Sequence, residues 1–278
     1  MCCSRSIEPA AAIVNHLLRR SAHMKEQFIW VCNMEAIRIN KYIRECGLAS
    51  RREADRMIEE GRVTVNGVIA DPGMPVSEGD VICVDGNEIK PVADKHVVAY
   101  YKPKGVTCTK EDVHAELTLE QVFSYPVPLT YAGRLDKDSE GLLIMTNDGE
   151  LIDRLMRSRF GHEKEYEVVL KREVTDDFLV KFAGGVYLPE LETVTKRCKI
   201  KRLGNNKVDI ILTQGLNRQI RRMCKALGNP VTSLTRIRIC SLRLGDLKSG
   251  ELRKMTPEEV KKLIEETNKV KEQRWKKP

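Results

Sequence analysis

The chain has 278 residues, of which 41% are hydrophobic and 32% charged, with 48 Lys and Arg against 40 Asp and Glu for a net charge of +8. That apolar fraction can build the core of one large or two ordinary domains, which excludes a mainly disordered chain, and 18 Gly with 11 Pro exclude a collagen-like or low-complexity one. No apolar run nears the ~18–20 residues that span a bilayer, and nine Cys without a C-x-x-C pair argue against a disulfide framework or a zinc site. A cytoplasmic protein without membrane, metal or cofactor is expected.

Residues 1–34 show no sustained period of two or 3.6 and are expected to be a disordered extension, with Met34 as an alternative start. Glu8 and Glu26 weigh against an organelle transit peptide. Residues 35–89 read as a compact module. Ile39, Tyr42, Ile43 and Cys46 lie on one helical face that ends at Gly47; Ser50 and Glu53 form a capping box for a second helix with Ala54, Met57 and Ile58 inward, closed by Gly61. Arg38, Lys41, Arg44, Arg51, Arg52 and Arg56 face outward. The dipeptides Asn66-Gly67 and Asp85-Gly86 predict type I′ hairpin turns.

Residues 90–96 read as a linker, and residues 97–260 as a second domain. Its predicted strands are His96–Tyr101, Leu142–Thr146, Glu165–Leu170 and Val208–Leu212; its helices follow Asn147-Asp148-Gly149 and cover Arg218–Leu227. A C-terminal helix and basic tail occupy residues 261–278, the helix starting near Thr256. Strands and helices mixed without a βαβ rhythm predict an α+β domain with a mainly antiparallel sheet. Residues 193–245 carry a net charge of +12, leaving −4 for the rest of the chain. Such asymmetry points to a polyanionic partner, a solvated basic face being the plainer reading.

Neither G-x-x-x-x-G-K-[ST] nor G-x-G-x-x-G occurs, so nucleotide hydrolysis and dinucleotide redox chemistry have no support, and G-x-S-x-G and H-E-x-x-H are absent as well. Carboxylate chemistry on a basic surface remains. Its densest segment is Gly133-Arg134-Leu135-Asp136-Lys137-Asp138-Ser139-Glu140-Gly141-Leu142-Leu143, a loop before an apolar strand. By spacing alone Asp136 is as readily a turn former or an ion-pair member as a reactive group.

The residues Arg38-Ile-Asn-Lys-Tyr-Ile, Gly47-Leu-Ala-Ser-Arg-Arg-Glu-Ala-Asp and Gly61-Arg-Val-Thr-Val-Asn-Gly closely resemble the S4 RNA-binding domain. Further on, Lys102-Pro-x-Gly, Gly-Arg-Leu-Asp-x-x-Ser-x-Gly-Leu-Leu, Lys164-Glu-Tyr166-Glu-Val and Gln214-Gly-Leu-Asn-Arg218-Gln-Ile-Arg221-Arg222-Met resemble the RsuA family of ribosomal RNA pseudouridine synthases, most of all its RluF branch. The motifs run in order from about Ile37 to Glu259.

That resemblance implies a site-specific isomerase that turns uridine into pseudouridine in ribosomal RNA, 23S above all, or in transfer RNA, without cofactor; a monomer is the default expectation. It implies Asp136 as the catalytic aspartate, Tyr166 as the ring stacked on the target base, and Arg221 as the cation paired with Asp136 to keep it charged. Arg38, Lys41, Arg51 and Arg52 would grip RNA from the S4 helices. Lys164 would anchor a phosphate, Arg134 would brace the gap left by the extruded nucleotide, Arg218 and Arg222 would meet RNA or acidic side chains, and Lys102 and Gly105 would shape the pocket. A non-catalytic RNA-binding factor in ribosome assembly is the alternative from another class.

Overall fold

The computed structural model describes residues 36–92, 94–108, 116–156 and 161–275. The expected disordered extension lies outside the described residues, as does the end of the basic tail. The chain divides into two compact units between Pro91 and Val92.

The N-terminal unit opens with strand β1 (Ile37–Arg38), helix α1 (Ile39–Glu45) and helix α2 (Arg51–Glu59). Ile39 and Ile43 of α1 are fully buried, as their spacing predicts, and Gly47 takes a left-handed φ of +75° just past the helix. There the Leu48 N–H reaches back to the Ile43 carbonyl, a Schellman-type closure that only a residue tolerant of positive φ permits at this cost. The capping box is half made. Ser50 Oγ accepts from the Glu53 N–H at 3.2 Å, but the Glu53 carboxylate is taken by Arg56 instead of turning back to the cap.

Strands β2 (Val63–Val65), β3 (Val68–Ile69), β4 (Pro75–Val76), β5 (Ile82–Val84) and β6 (Asn87–Glu88) complete the unit, with β1 paired to β4 and a four-stranded sheet in the order β3-β2-β5-β6. Asn66 and Gly67 have φ of 51° and 82°, Asp85 and Gly86 of 49° and 79°, so both hairpins turn as their dipeptides dictate. Ala54 and Ile58 of α2 join Ile39, Ile43, Val63, Val65 and Ile82 in one core. Deleting one of these isoleucine side chains beyond Cβ would cost about 2–5 kcal/mol.

The C-terminal unit is built on one nine-stranded sheet. In chain order it comprises β7 (Val97–Lys102), α3 (Leu119–Val122), β8 (Thr130–Tyr131), β9 (Glu140–Thr146), α4 (Gly149–Met156), β10 (Lys164–Leu170), α5 (Asp176–Gly184), the hairpin β11 (Tyr187–Leu188) with β12 (Thr193–Val194), β13 (Lys199–Arg202), β14 (Lys207–Leu212), α6 (Gln219–Ala226), β15 (Val231–Ile239), β16 (Leu242–Arg243), β17 (Leu252–Lys254) and α7 (Pro257–Trp275). The sheet order is β13-β14-β10-β15-β9-β7-β17, with β16 on β15 and β8 on β9. Every pairing is antiparallel except β15 with β9, where Thr235 meets Glu140 and Arg236 meets Gly141. The expected α+β class with a mainly antiparallel sheet is what the chain forms.

That parallel junction joins two halves with separate cores. On one side β10, β14 and β15 bury Val168, Ile210 and Leu234 under Phe178 and Phe182 of α5 and Ile220 and Met223 of α6. On the other, β7 and β9 are buried on both faces: Ala99, Leu142 and Ile144 lie under α4 and α7, while Val98, Tyr100 and Leu143 lie under α3 and its approach loop. Burial on both faces explains why these strands read as continuous apolar runs. Gly141 is obligatory at the junction, since with φ +105° a Cβ there would lie 2.4 Å from the Arg236 carbonyl oxygen.

Candidate active site

Asp136 stands on the loop that leads into β9, and cations from three elements hold that loop by its oxygens. Lys102, fully buried at the end of β7, donates from Nζ to the Ser139 carbonyl at 2.7 Å and to the Pro103 carbonyl at 2.8 Å. Arg221 of α6 donates to the Asp138 carbonyl at 2.8 Å and to Ser139 Oγ at 3.2 Å. Arg236 of β15, only 2% exposed, donates from Nε to the Leu142 carbonyl at 2.7 Å and from Nη1 to the Arg134 carbonyl at 3.3 Å. The Gly105 N–H adds a bond to the Lys137 carbonyl at 2.8 Å. Charge-assisted bonds of this kind are about twice as strong as neutral ones, and together they fix the backbone on both sides of Asp136.

Burial carries a cost for these cations. Desolvation, with the Arg236 guanidinium close by, pushes the Lys102 ammonium down to about 8. Desolvation and the neighbouring Arg218 also push Arg221 below the ordinary arginine range.

Arg221, the expected partner of Asp136, feels the charge of that carboxylate but makes its direct bonds elsewhere on the loop. Arg218 brings its Nη1 to 3.9 Å from the Asp136 carboxylate and its Nη2 to 3.1 Å from that of Asp138. Arg218 caps α6 in the left-handed region at φ +51°, which turns its side chain toward the acidic loop, while Arg221, one turn into the helix, ends on the loop backbone. Asp136 itself keeps a side chain 35% exposed.

The carboxylate opens on a cavity of about 500 Å³, whose walls include Arg134, Asp136, Lys164, Tyr166, Arg218 and Arg236. Tyr166 sits on β10 in register with Ile210 of β14 and Arg236 of β15. Strand alternation places Lys164, Tyr166 and Val168 on one face, so the tyrosine has its base on the apolar core and also lines the cavity. Lys164 lies deeper, and desolvation, followed by the charge of Arg236, pushes it down to about 8. His162, buried beside it, has Nε2 3.0 Å from the Arg154 carbonyl oxygen, and desolvation lowers its pKa.

The motif after β14 acts as a shaped loop. Gln214 Oε1 accepts from the Lys196 N–H at 2.9 Å, and Gln219 Oε1 accepts from the Leu216 N–H at 3.0 Å, holding the turn that presents Arg218.

Other expected residues fall elsewhere. Arg222 is not on the cavity wall: it donates to the Asn217 carbonyl at 3.1 Å and pairs with Glu190 at 3.4 Å. Lys102 and Gly105 hold the Asp136 loop from behind and do not line the cavity. Arg134 is exposed at the cavity wall. In the N-terminal unit Arg38, Arg51 and Arg52 are exposed, Lys41 pairs with Glu45 at 3.6 Å, and Arg56 and Arg62 are neutralised by Glu53, Glu60 and Asp85. The basic run 193–245 is not one solvated face either. Arg236 is buried in the sheet and Arg238 is tied to Glu163 and Glu165. Sequence reasoning missed Arg236; the one available signal was its place among Leu234, Ile237 and Ile239, a strand pattern masked by neighbouring charges. Among the described residues no cluster of His, Cys, Asp or Glu could hold a metal ion.

Comparison with known proteins bears on this arrangement directly. The RNA pseudouridylate synthase family profile matches residues 96–226, and the S4 domain profile matches residues 37–82. The dual-specificity RNA pseudouridine synthase RluF of Salmonella typhi is 44% identical over 225 residues, 80% of this chain and 77% of the relative. The chain belongs to the pseudouridine synthase family. This synthase is also 35% identical to ribosomal large subunit pseudouridine synthase B of Bacillus subtilis, over 81% of its own length and 95% of that protein. A crystal structure of a pseudouridylate synthase, 31% identical, superposes with a TM-score of 0.61 over 82% of the synthase and all of that chain. Family membership makes the protein an RNA-modifying enzyme and sets aside the reading as a non-catalytic binding factor. The cavity that the synthase builds around Asp136 lies within the matched segment and its immediate continuation into β15.

Proposed function

We propose that the synthase isomerises a specific uridine of 23S ribosomal RNA, with a transfer RNA as a second substrate, and that Asp136 is the group acting on the ribose. The observation that carries this reading is the carboxylate of Asp136, accessible to a nucleotide-sized cavity on a loop held by Lys102, Arg221 and Arg236. The large-subunit name of one relative and the dual specificity named for another support the choice of substrates.

The chemistry needs no co-reactant, because uridine and pseudouridine are isomers. The carboxylate attacks C1′ or removes the C2′ proton; either way the C1′–N1 bond breaks and its electron pair leaves with the uracil. The ring turns and C5 bonds to C1′ as the carboxylate–C1′ bond breaks or as the proton returns to C2′; the C5 proton is then lost and N1 takes one up. Tyr166 is the platform on which the detached ring turns, which a π-face permits and a hydrogen-bonded clamp would not. A uridine inside structured RNA must be extruded at a cost of a few kcal/mol, and Arg134 at the cavity wall is placed to offset it. Lys164, Arg218 and the exposed S4 arginines Arg38, Arg51 and Arg52, with Lys41, serve RNA binding.

Carbodiimide primer-extension mapping of ribosomal and transfer RNA tests the proposal, using a strain that lacks the gene and is complemented with wild type or Asp136→Asn. Loss of a pseudouridine that only the wild type restores is the expected result. Restoration by Asp136→Asn would remove Asp136 from the chemistry, and an unchanged map together with inactivity in vitro on both RNAs would remove the assigned substrates.

A further inference from the structure

The two cations that the sheet strands β10 and β15 present to the cavity, Lys164 and Arg236, make no ion pair among the described residues. Lys164 makes no ion pair among the described residues, and its one polar contact, with the His162 carbonyl, is long at 3.5 Å. Arg236 spends Nε and Nη1 on carbonyls, while its Nη2 is buried with no hydrogen-bond partner. They sit on adjacent strands, β10 and β15, and both line the cavity.

Their neighbours do not neutralise them. Asp136 and Asp138 face Arg218, and Glu163 and Glu165 are taken by Arg238. By contrast, Lys102 spends its ammonium on two loop carbonyls and Arg238 its guanidinium on two carboxylates. Two desolvated like charges beside each other raise the free energy of the empty enzyme, and an anion between them lowers it. Burial first, and then the charge of Arg236, hold Lys164 below the ordinary lysine range.

We propose that Lys164 and Arg236 form a subsite for an anionic oxygen of the bound nucleotide, separate from the Asp136–Arg218 pair. It rests on the reading of the cavity as the uridine site. Two oxygens carry the required charge: a phosphate flanking the target, present from binding onward, and O2 or O4 of the detached uracil, which is charged only after the C1′–N1 pair has moved into the ring. In the second case the subsite acts on the transition state alone, the kind of contact that raises turnover without tightening substrate binding.

The test uses full-length wild type and Lys164→Met, with a stem-loop RNA carrying the mapped uridine, measured for affinity and single-turnover rate. Lys164→Met should fold normally because it gives up only the long contact to His162. The expected loss is about tenfold or more, that of one charge-assisted contact. A phosphate occupant is shown by a loss in affinity that a methylphosphonate next to the target reproduces in wild type and does not deepen in the variant. A uracil occupant is shown by unchanged affinity, a slowed rate, and no response of the variant's defect to the methylphosphonate. Arg236→Lys, which keeps the charge and loses the fork, should show the same split at a melting temperature checked against wild type. Lys164→Met within about twofold of wild type in both affinity and rate would overturn the subsite. Full activity of Asp136→Asn would instead overturn the reading of the site, leaving the affinity arm to judge the subsite.

Discussion

In the N-terminal unit Arg38, Arg51 and Arg52 stand exposed on two short helices, whereas in the C-terminal unit Lys102 and Arg236 are buried and end on backbone carbonyls. The same residue types do different physical work. An exposed guanidinium contributes attraction that salt screens and any phosphate can use. A buried one is held in a single geometry, its energy goes into positioning neighbouring atoms, and its charge is costly whenever a partner is missing. Net charge along the chain does not distinguish the two, so the basic run 193–245 contains loop braces and sheet ion pairs as well as RNA-facing groups.

The contrast can be sharpened by experiment. The largest effect is expected from Asp136→Asn, which removes the group that the buried cations position: single-turnover conversion should fall by about 10³-fold or more while RNA affinity stays within about twofold, measured on one RNA by rate and filter binding. Gly141→Ala strikes the brace itself. With φ +105° and a Cβ 2.4 Å from the Arg236 carbonyl, it should lower stability by about 2–4 kcal/mol in urea unfolding.

The buried lysines give a pH signature that surface cations lack. Lys102 and Lys164 are both depressed from the ordinary 10.5 to about 8 in the folded chain. Below about 8 both states are protonated and the cost of the buried charge is constant; between about 8 and 10.5 the unfolded chain binds more protons, so stability rises with pH. Urea midpoints followed across that interval should climb in wild type and flatten in the Lys102→Met, Lys164→Met double variant. An equal climb in both would place the titration elsewhere.

On the N-terminal unit, Arg38→Glu with Arg51→Glu should weaken RNA binding and reduce the slope of log Kd against log salt by about one to two, leaving the rate at saturating enzyme unchanged. The smallest effect is expected from Arg56→Ala, because Glu53 and Glu60 already occupy that guanidinium. Unchanged melting temperature and RNA affinity are the outcome there, and a clear loss of affinity would mean that the intramolecular pairs open for RNA.

Much of the N-terminal unit was legible in the linear pattern. Period 3.6 in Ile39–Cys46, positive-φ glycines after both helices and two Asn/Asp-Gly turns depend on interactions a few residues apart, which composition and spacing encode directly. The Glu53 side chain departed from the capping box because Arg56, one turn on, offered a stronger partner than the cap N–H. In the C-terminal unit the apolar strands β7 and β9 were visible, but α5, β13 and β15 were not. Lys199, Lys201, Arg236 and Arg238 obscured the alternation of β13 and β15, since a strand whose charged side chains are satisfied by neighbouring strands looks like a basic loop until those strands are placed.

For the site, motif resemblance brought Asp136, Tyr166, Lys164 and the arginines of α6 into view, and the fold gathered most of them on one cavity. The sequence by itself determined the local elements, the family and the residue types available for chemistry, because these follow from short-range geometry and from motifs. Only the tertiary structure decided that Arg218 and not Arg221 faces the Asp136 carboxylate, that Lys102 braces rather than lines the cavity, and that Arg236 joins Lys164 without an ion pair among the described residues. Which oxygen a cation reaches depends on strand register and burial across about a hundred residues of separation, as with Arg236 and Arg134, and no local pattern carries that information.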